Sequence, residues 1–158
     1  MKSASIAELK KELKSLSDTQ LLEVCMRLAK YKKDNKELLN YLLFEAGNEQ
    51  AYVNAIKAEM DEQFMEMNGS NAYLTKKSLR KILRNTSKYI KYSDSVDTEI
   101  ELLIYFCKKI KTSAINKFLS SNTVLTNLYL QQLKKISKAL QRLHEDLQYD
   151  YKRDLEQL

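Results

Sequence analysis

The stretch YLTKKSLRKILRNTSKYIKY, Tyr73 to Tyr92, holds seven basic residues and no acid. Lys and Arg bind anions without the help of other groups, and a row of them can neutralise successive phosphates and release their counterions. At roughly 100° per residue, Lys77, Lys81, Arg84, Lys88 and Lys91 fall on one narrow stripe of a helix, with Arg80 beside it. Leu79, Ile82, Leu83, Thr86 and Ile90 form a second stripe, centred roughly 145° away. Tyr89 and Tyr92 lie on the flank between them, where they could stack on unpaired bases. A second acid-free set, Lys134, Lys135, Lys138 and Arg142, follows later in the chain. These two sets are the candidates for contact with phosphate or with a macromolecular partner.

Three uses of the first stripe stay open: a solvated helix face, a grip on nucleic acid, or a contact for an acidic protein or a membrane surface. Lys-rich helices that insert into membranes usually carry Trp or Phe on the apolar side; here that side is Leu, Ile and Thr, which suits a domain core. No helix-turn-helix signature points to duplex DNA, so RNA is the better nucleic-acid reading. The preceding helix carries Glu59, Glu62 and Glu66, which are expected to face water, and surface ion pairs contribute only about 0–1 kcal/mol.

Other chemistry is thinly represented. His144 is the only histidine. A general base needs a pocket and an oriented partner, and Asp146, two residues on, is expected to point elsewhere on a helix. One histidine, no CxxC and no Asp-rich loop leave nothing for a metal site. Two glycines cannot build a phosphate-binding loop or a dinucleotide fingerprint, and no G-x-S-x-G motif occurs. Cys25 and Cys107 each sit in an apolar helical pattern and are expected as buried thiols. The expectation is a protein that is not an enzyme and needs no cofactor.

The elements that must position the basic residues are helices. The chain has no proline, is 44% hydrophobic, and at 158 residues fits one domain, 1–158. Capping boxes at Ser5–Glu8 and Ser17–Gln20 open the first two helices. Asp34–Asn35 is read as a break, Gly47 as a left-handed C-cap, and Asn48 as an N-cap. A fourth helix carries the stripe Val53, Ile56, Met60, Phe64 and Met67, and Asn68–Gly69–Ser70 closes it as a short loop. The run Ile100–Ile110, apolar nearly all round, predicts a buried central helix. A short helix follows over Ala114–Leu119, then a long one from Asn122 or Thr123 almost to the end. Leu133, Ile136, Leu140, Leu143 and Leu147 give that last helix a heptad rhythm, which packs within the domain or serves as a homodimer seam. The expected architecture is all-α, with about seven or eight helices. Antiparallel hairpins, in a short solenoid or an irregular bundle, are braced by the long C-terminal helix.

No apolar run is long enough for a signal peptide or a membrane span, and the reading is a cytoplasmic protein. The segment LKKELKSLSDTQLLEVCMRLAKYKKDNKELLNYLL resembles the N-terminal part of a family of uncharacterised bacterial helical proteins. The likeness covers about the first third of the chain, through its Lys-rich helix, Ser–Asp cap, Leu-rich helix and Tyr–Lys–Lys junction. It implies a bacterial origin and assigns no activity. The functional expectation is a helical interaction module that presents a basic face to a macromolecular partner, an unknown protein or, alternatively, RNA or a ribosome-associated target.

Overall fold

A computed structural model describes residues 3–67, 71–156 and 158. Among these the chain is all-helical, with nine α-helices and no strand. The loop expected at Asn68–Gly69–Ser70 lies outside the described residues. The chain divides into two compact units, Met1–Phe44 and Glu45–Leu158.

The first unit holds α1 (Ile6–Ser15), α2 (Asp18–Tyr31) and α3 (Lys33–Asn40). Both expected capping boxes form. The Ser5 N–H donates to Glu8 Oε2 at 2.7 Å, and the Ser17 N–H donates to Gln20 Oε1 at 3.0 Å. In each box the Ser hydroxyl accepts the N–H three residues on, satisfying donors that a helix start leaves unpaired. The break between α2 and α3 falls at Lys32, whose φ of −141° and ψ of 146° are extended. Asp34 and Asn35, expected to break the chain, instead lie inside α3, where Asn35 Nδ2 donates to Leu28 O at 2.9 Å. That bond satisfies a carbonyl near the end of α2, which explains why an amide is useful there. α3 then widens into a π-helical turn, Tyr41–Glu45.

The second unit contains α4 (Glu49–Met65), α5 (Ala72–Ser93), α6 (Val96–Thr112), α7 (Asn116–Leu119), α8 (Thr123–Leu140) and α9 (Glu145–Leu155). Gly47 does not take a left-handed conformation. Among the described residues that role falls to Asp94, at φ 54° and ψ 17°, which ends α5; Asp is one of the few residues besides Gly that tolerates it. The core is organised around α6. Ile100, Leu102, Phe106, Cys107 and Ile110 have no exposed surface, and α4, α5 and α8 all pack on this helix. The Phe106 ring meets Phe64 of α4 edge-on, with centroids 5.9 Å apart. Burial pushes the Cys107 thiol up to about 12, so it is an inert packing group.

The C-terminal region departs from expectation. In place of one long helix, α8 stops at Leu140 and α9 starts at Glu145, which raises the helix count to nine among the described residues. The last turn of α8 tightens as the Arg142 N–H donates to Ala139 O and the Leu143 N–H to Leu140 O. His144 is extended and caps α9, its Nδ1 accepting the Asp146 N–H at 3.4 Å. Glu145 and Asp146 in the first turn complement the amino end of α9. The leucine rhythm runs across this break. Ile136 and Leu140 are buried in the unit's own core, whereas Leu147 is 44% exposed.

Polar straps fix the rim of α6. Lys57 Nζ lies 2.5 Å from Glu101 Oε1. Lys108 Nζ lies 2.8 Å from Asp154 of α9; a residue beyond α9 is tied separately to α8, where Tyr129 Oη donates to Leu158 O at 2.8 Å. Asp61 of α4 accepts from Tyr105 Oη at 2.7 Å and lies 2.9 Å from Lys109 Nζ. Burial alone would raise the Asp61 carboxyl. The hydrogen bonds from Lys109 and Tyr105 and the Lys109 charge reverse this, and the group lies below its ordinary value of 3.8. The same burial and the same carboxylate push Tyr105 up to about 12.

This packing sets the cost of two substitutions. Phe106→Ala should cost about 3–5 kcal/mol of stability in urea denaturation, the usual range for emptying a large aromatic site in a core. Asp61→Asn should cost about 0.5–1 kcal/mol near neutral pH, because the pair is partly exposed. A carboxylate whose folded value is depressed stabilises above its unfolded value and ceases to do so as pH falls through the folded one. The gap between wild type and Asp61→Asn is therefore complete above about pH 5 and closes below pH 3.8, as denaturation at a series of pH values would show.

Candidate anion-binding groove at the ends of α5 and α8

The groove is built on the turn that joins α5 to α6. The Asp94 N–H donates to Ile90 O at 3.0 Å, closing α5. Ser95 then caps α6, its Oγ accepting the Thr98 N–H at 3.3 Å. The buried Thr98 hydroxyl donates to Glu49 Oε1 of α4 at 2.5 Å, and the Ser93 hydroxyl donates to the same oxygen. One carboxylate thus pins both sides of the turn, which fixes the direction in which α5 ends and α6 begins.

Beside this turn lies a groove of about 330 Å³. It is lined by Ser87, Ile90, Lys91 and Asp94 from α5 and its cap, by Ser95, Glu99 and Leu103 from the cap and first turns of α6, by Lys135 of α8 and by Arg142 in the turn after α8. Lys91 belongs to the first basic set read from the sequence, and Lys135 and Arg142 to the second. The fold brings the two sets together here. The amino end of α6 adds its own partial positive charge. Two acids moderate the groove: Arg142 Nη1 lies 3.4 Å from Glu99 Oε2, and Asp94 is also in the lining. The Arg142 side chain is still 59% exposed, so this pair is a weak one.

The remaining predicted residues do not line the groove. Lys77, Arg80, Lys81 and Arg84 are exposed along α5, and the stripe from Lys77 to Lys91 extends about 21 Å at 1.5 Å per residue. Lys134 and Lys138 are exposed on α8. Among the described residues, Lys77, Arg80, Lys81, Arg84, Lys91, Lys134, Lys135 and Lys138 form no ion pair. Lys88 differs from its neighbours on the stripe. It is half-buried, with its ammonium 5.0 Å from the centre of the Tyr89 ring and 5.9 Å from that of Tyr92.

The flanking tyrosines are already engaged within the protein. Tyr89 Oη donates to Glu59 Oε2 at 2.9 Å, and its ring contacts Tyr52 and Tyr92 edge-on at 6.4 and 6.3 Å. Glu59 is therefore half-buried and turned toward α5, contrary to the expectation that it faces water; Glu62 and Glu66 are exposed as expected. Its partner is the tyrosine hydroxyl, because the apolar stripes of α4 and α5 bring their flanks together and leave the basic stripe farther round.

Sequence reading missed Asp94 and Glu99 as groove residues. The left-handed cap and the Ser95 N-cap were the available signals, since both lie in a turn the sequence marks clearly. Two further expectations change. His144 lies 3.3 Å from Asp146 Oδ2, because a residue at a cap does not follow helical spacing. Cys25 is half-buried and lines a groove of the first unit. Among the described residues, no group of three or more His, Cys, Asp or Glu is placed to hold a metal ion, and no helix is long and apolar enough to cross a membrane.

Set beside protein-family models, curated proteins and solved structures, the chain matches none of them.

Proposed function

We propose that this chain is a non-enzymatic, cytoplasmic helical interaction module of bacterial origin, and that its basic face binds the phosphate backbone of RNA. In this reading the helix pairs α2–α3 and α4–α5 are hairpin units of the scaffold, and α5 with the end of α8 is the binding face. The observation that carries it is the meeting of Lys91 with Lys135 and Arg142 in one groove. Cations from two helices converging on one concavity can hold a single phosphate from two sides, which a solvated helix face has no reason to arrange. Lys77, Arg80, Lys81 and Arg84, which form no ion pair among the described residues, continue that positive track along α5 for further phosphates.

The character of the binding follows from what else is there. Tyr89 is tied to Glu59 and packed against other rings, so base stacking at this face is not part of the reading. Contacts made mainly to phosphate position a strand and carry little sequence information. Weak sequence preference and strong salt dependence are the expected signature.

Fluorescence anisotropy with labelled single- and double-stranded RNA and DNA, over a salt series, tests this. Wild type should bind RNA at micromolar or tighter concentration near physiological salt. The groove variant Lys91→Glu/Lys135→Glu and the stripe variant Lys77→Glu/Lys81→Glu/Arg84→Glu should each bind at least about tenfold more weakly. On a single strand, their log–log salt slopes should flatten by about 0.7 for each phosphate that is no longer neutralised. Equal, weak binding by all three proteins would remove RNA from the reading and leave an acidic protein as the partner of this face.

A further inference from the structure

The groove between α5 and α8 is not lined by cations alone. Lys91, Lys135 and Arg142 share it with Asp94 and Glu99. Arg142 and Glu99 face each other at 3.4 Å and largely cancel. Lys91, Lys135 and Asp94 are exposed, and among the described residues none of the three forms an ion pair. Among those residues the Asp94 carboxylate accepts no hydrogen bond either; Asp94 is held through its backbone, whose N–H donates to Ile90 O at 3.0 Å. A glycine or an asparagine would serve that left-handed position as well as an aspartate does. The turn therefore does not require the charge.

The mixture restricts what the groove can hold. A ligand offering phosphate alone would gain from Lys91 and Lys135 and be repelled by Asp94, since like charges brought together at an interface cost affinity. A cation would meet the opposite difficulty, because two lysines stand beside one free carboxylate. The ligand that satisfies the whole lining carries an anion together with a neutral hydrogen-bond donor. At about 330 Å³ the groove lies near the lower end of the range for ligand sites and takes on the order of one nucleotide, so both groups must come from neighbouring atoms. Ile90 and Leu103 give the same lining an apolar part, against which the carbon face of a sugar ring can rest.

We infer that the groove takes a ribonucleotide unit, its phosphate on Lys91 and Lys135 and its ribose 2′-hydroxyl donating to the Asp94 carboxylate. Asp94 is then the residue that separates RNA from DNA, because the 2′-hydroxyl is the group that the two do not share. An acidic side chain is the usual acceptor for that hydroxyl in dinucleotide sites as well. This assignment rests on the phosphate contacts proposed above and adds the sugar to them. The unit can belong to an RNA strand or to a free ribonucleotide, which share this chemistry.

Anisotropy of a labelled single-stranded RNA and of its 2′-deoxy counterpart with the same bases, near physiological salt, compares wild type with Asp94→Gly and Glu99→Gln. Wild type should bind the RNA about tenfold more tightly, the effect of one hydrogen bond to a charged group. Asp94→Gly keeps the left-handed turn and removes the acceptor. It should bring the two strands to within about twofold of each other, mainly because the DNA binds more tightly. Glu99→Gln should raise both affinities by the same factor and leave the preference in place. In a second arm, uridine 5′-monophosphate and its 2′-deoxy form are titrated to millimolar concentration and followed by NMR. A preference confined to the strands identifies RNA as the source of the unit. If neither strand binds but the ribonucleotide does, through Asp94, the source is a free nucleotide and the strand reading falls instead. Equal affinity for the two sugars in whichever arm binds, or a preference that survives Asp94→Gly, overturns the inference and leaves the phosphate contacts standing. If neither strand nor nucleotide binds, both fall.

Discussion

The burial of the apolar side chains of α6 is the constraint on which the second unit depends. A helix that is apolar round most of its circumference can leave only a narrow polar rim to water, so it must be wrapped. α4, α5 and α8 each give one apolar stripe to that task. Once those stripes are committed, the direction of every other side chain on the three helices is decided. On α5 the apolar side is Leu79, Ile82 and Thr86, and the lysines and arginines are left on the far side. The basic face is thus held rigidly by the same packing that hides α6, and the Glu49 carboxylate fixes where it ends.

Much of this was legible in the sequence, because its strongest signals are local. The capping boxes, the Asn48 cap, the apolar run of α6 and the period of α5 each rest on neighbours within a few residues, and each is found where the sequence puts it. What was not legible depends on residues distant in the chain. The closeness of Lys91 to Lys135 and Arg142 requires α8 to lie along α6, and no spacing rule contains that. Glu59 was placed in water by its angle on a helical wheel, which takes no account of Tyr89 on the neighbouring helix.

The end of α8 shows a subtler failure. A leucine every three or four residues reads as one continuous helix, but the rhythm is also satisfied when two helices share one core across a short break. Backbone chemistry decides between them. His144 offers a ring nitrogen to an unpaired N–H, and two acids follow it at once, so a new helix start competes well against continuation. The same type of argument, applied to Asp94, explains why an aspartate holds the left-handed position expected of Gly47.

The central place of α6 has a consequence for how the chain is made. Synthesis delivers α4 and α5 first, then the hub, and only afterwards α8, which completes the wrap. For the time it takes to translate α7 and α8, the most apolar helix of the protein stands half-covered. A chain emerging from the ribosome at about 5–20 residues per second is exposed in that state for seconds. That interval is long compared with helix formation, and it is the stage at which a chaperone would find the most surface to hold.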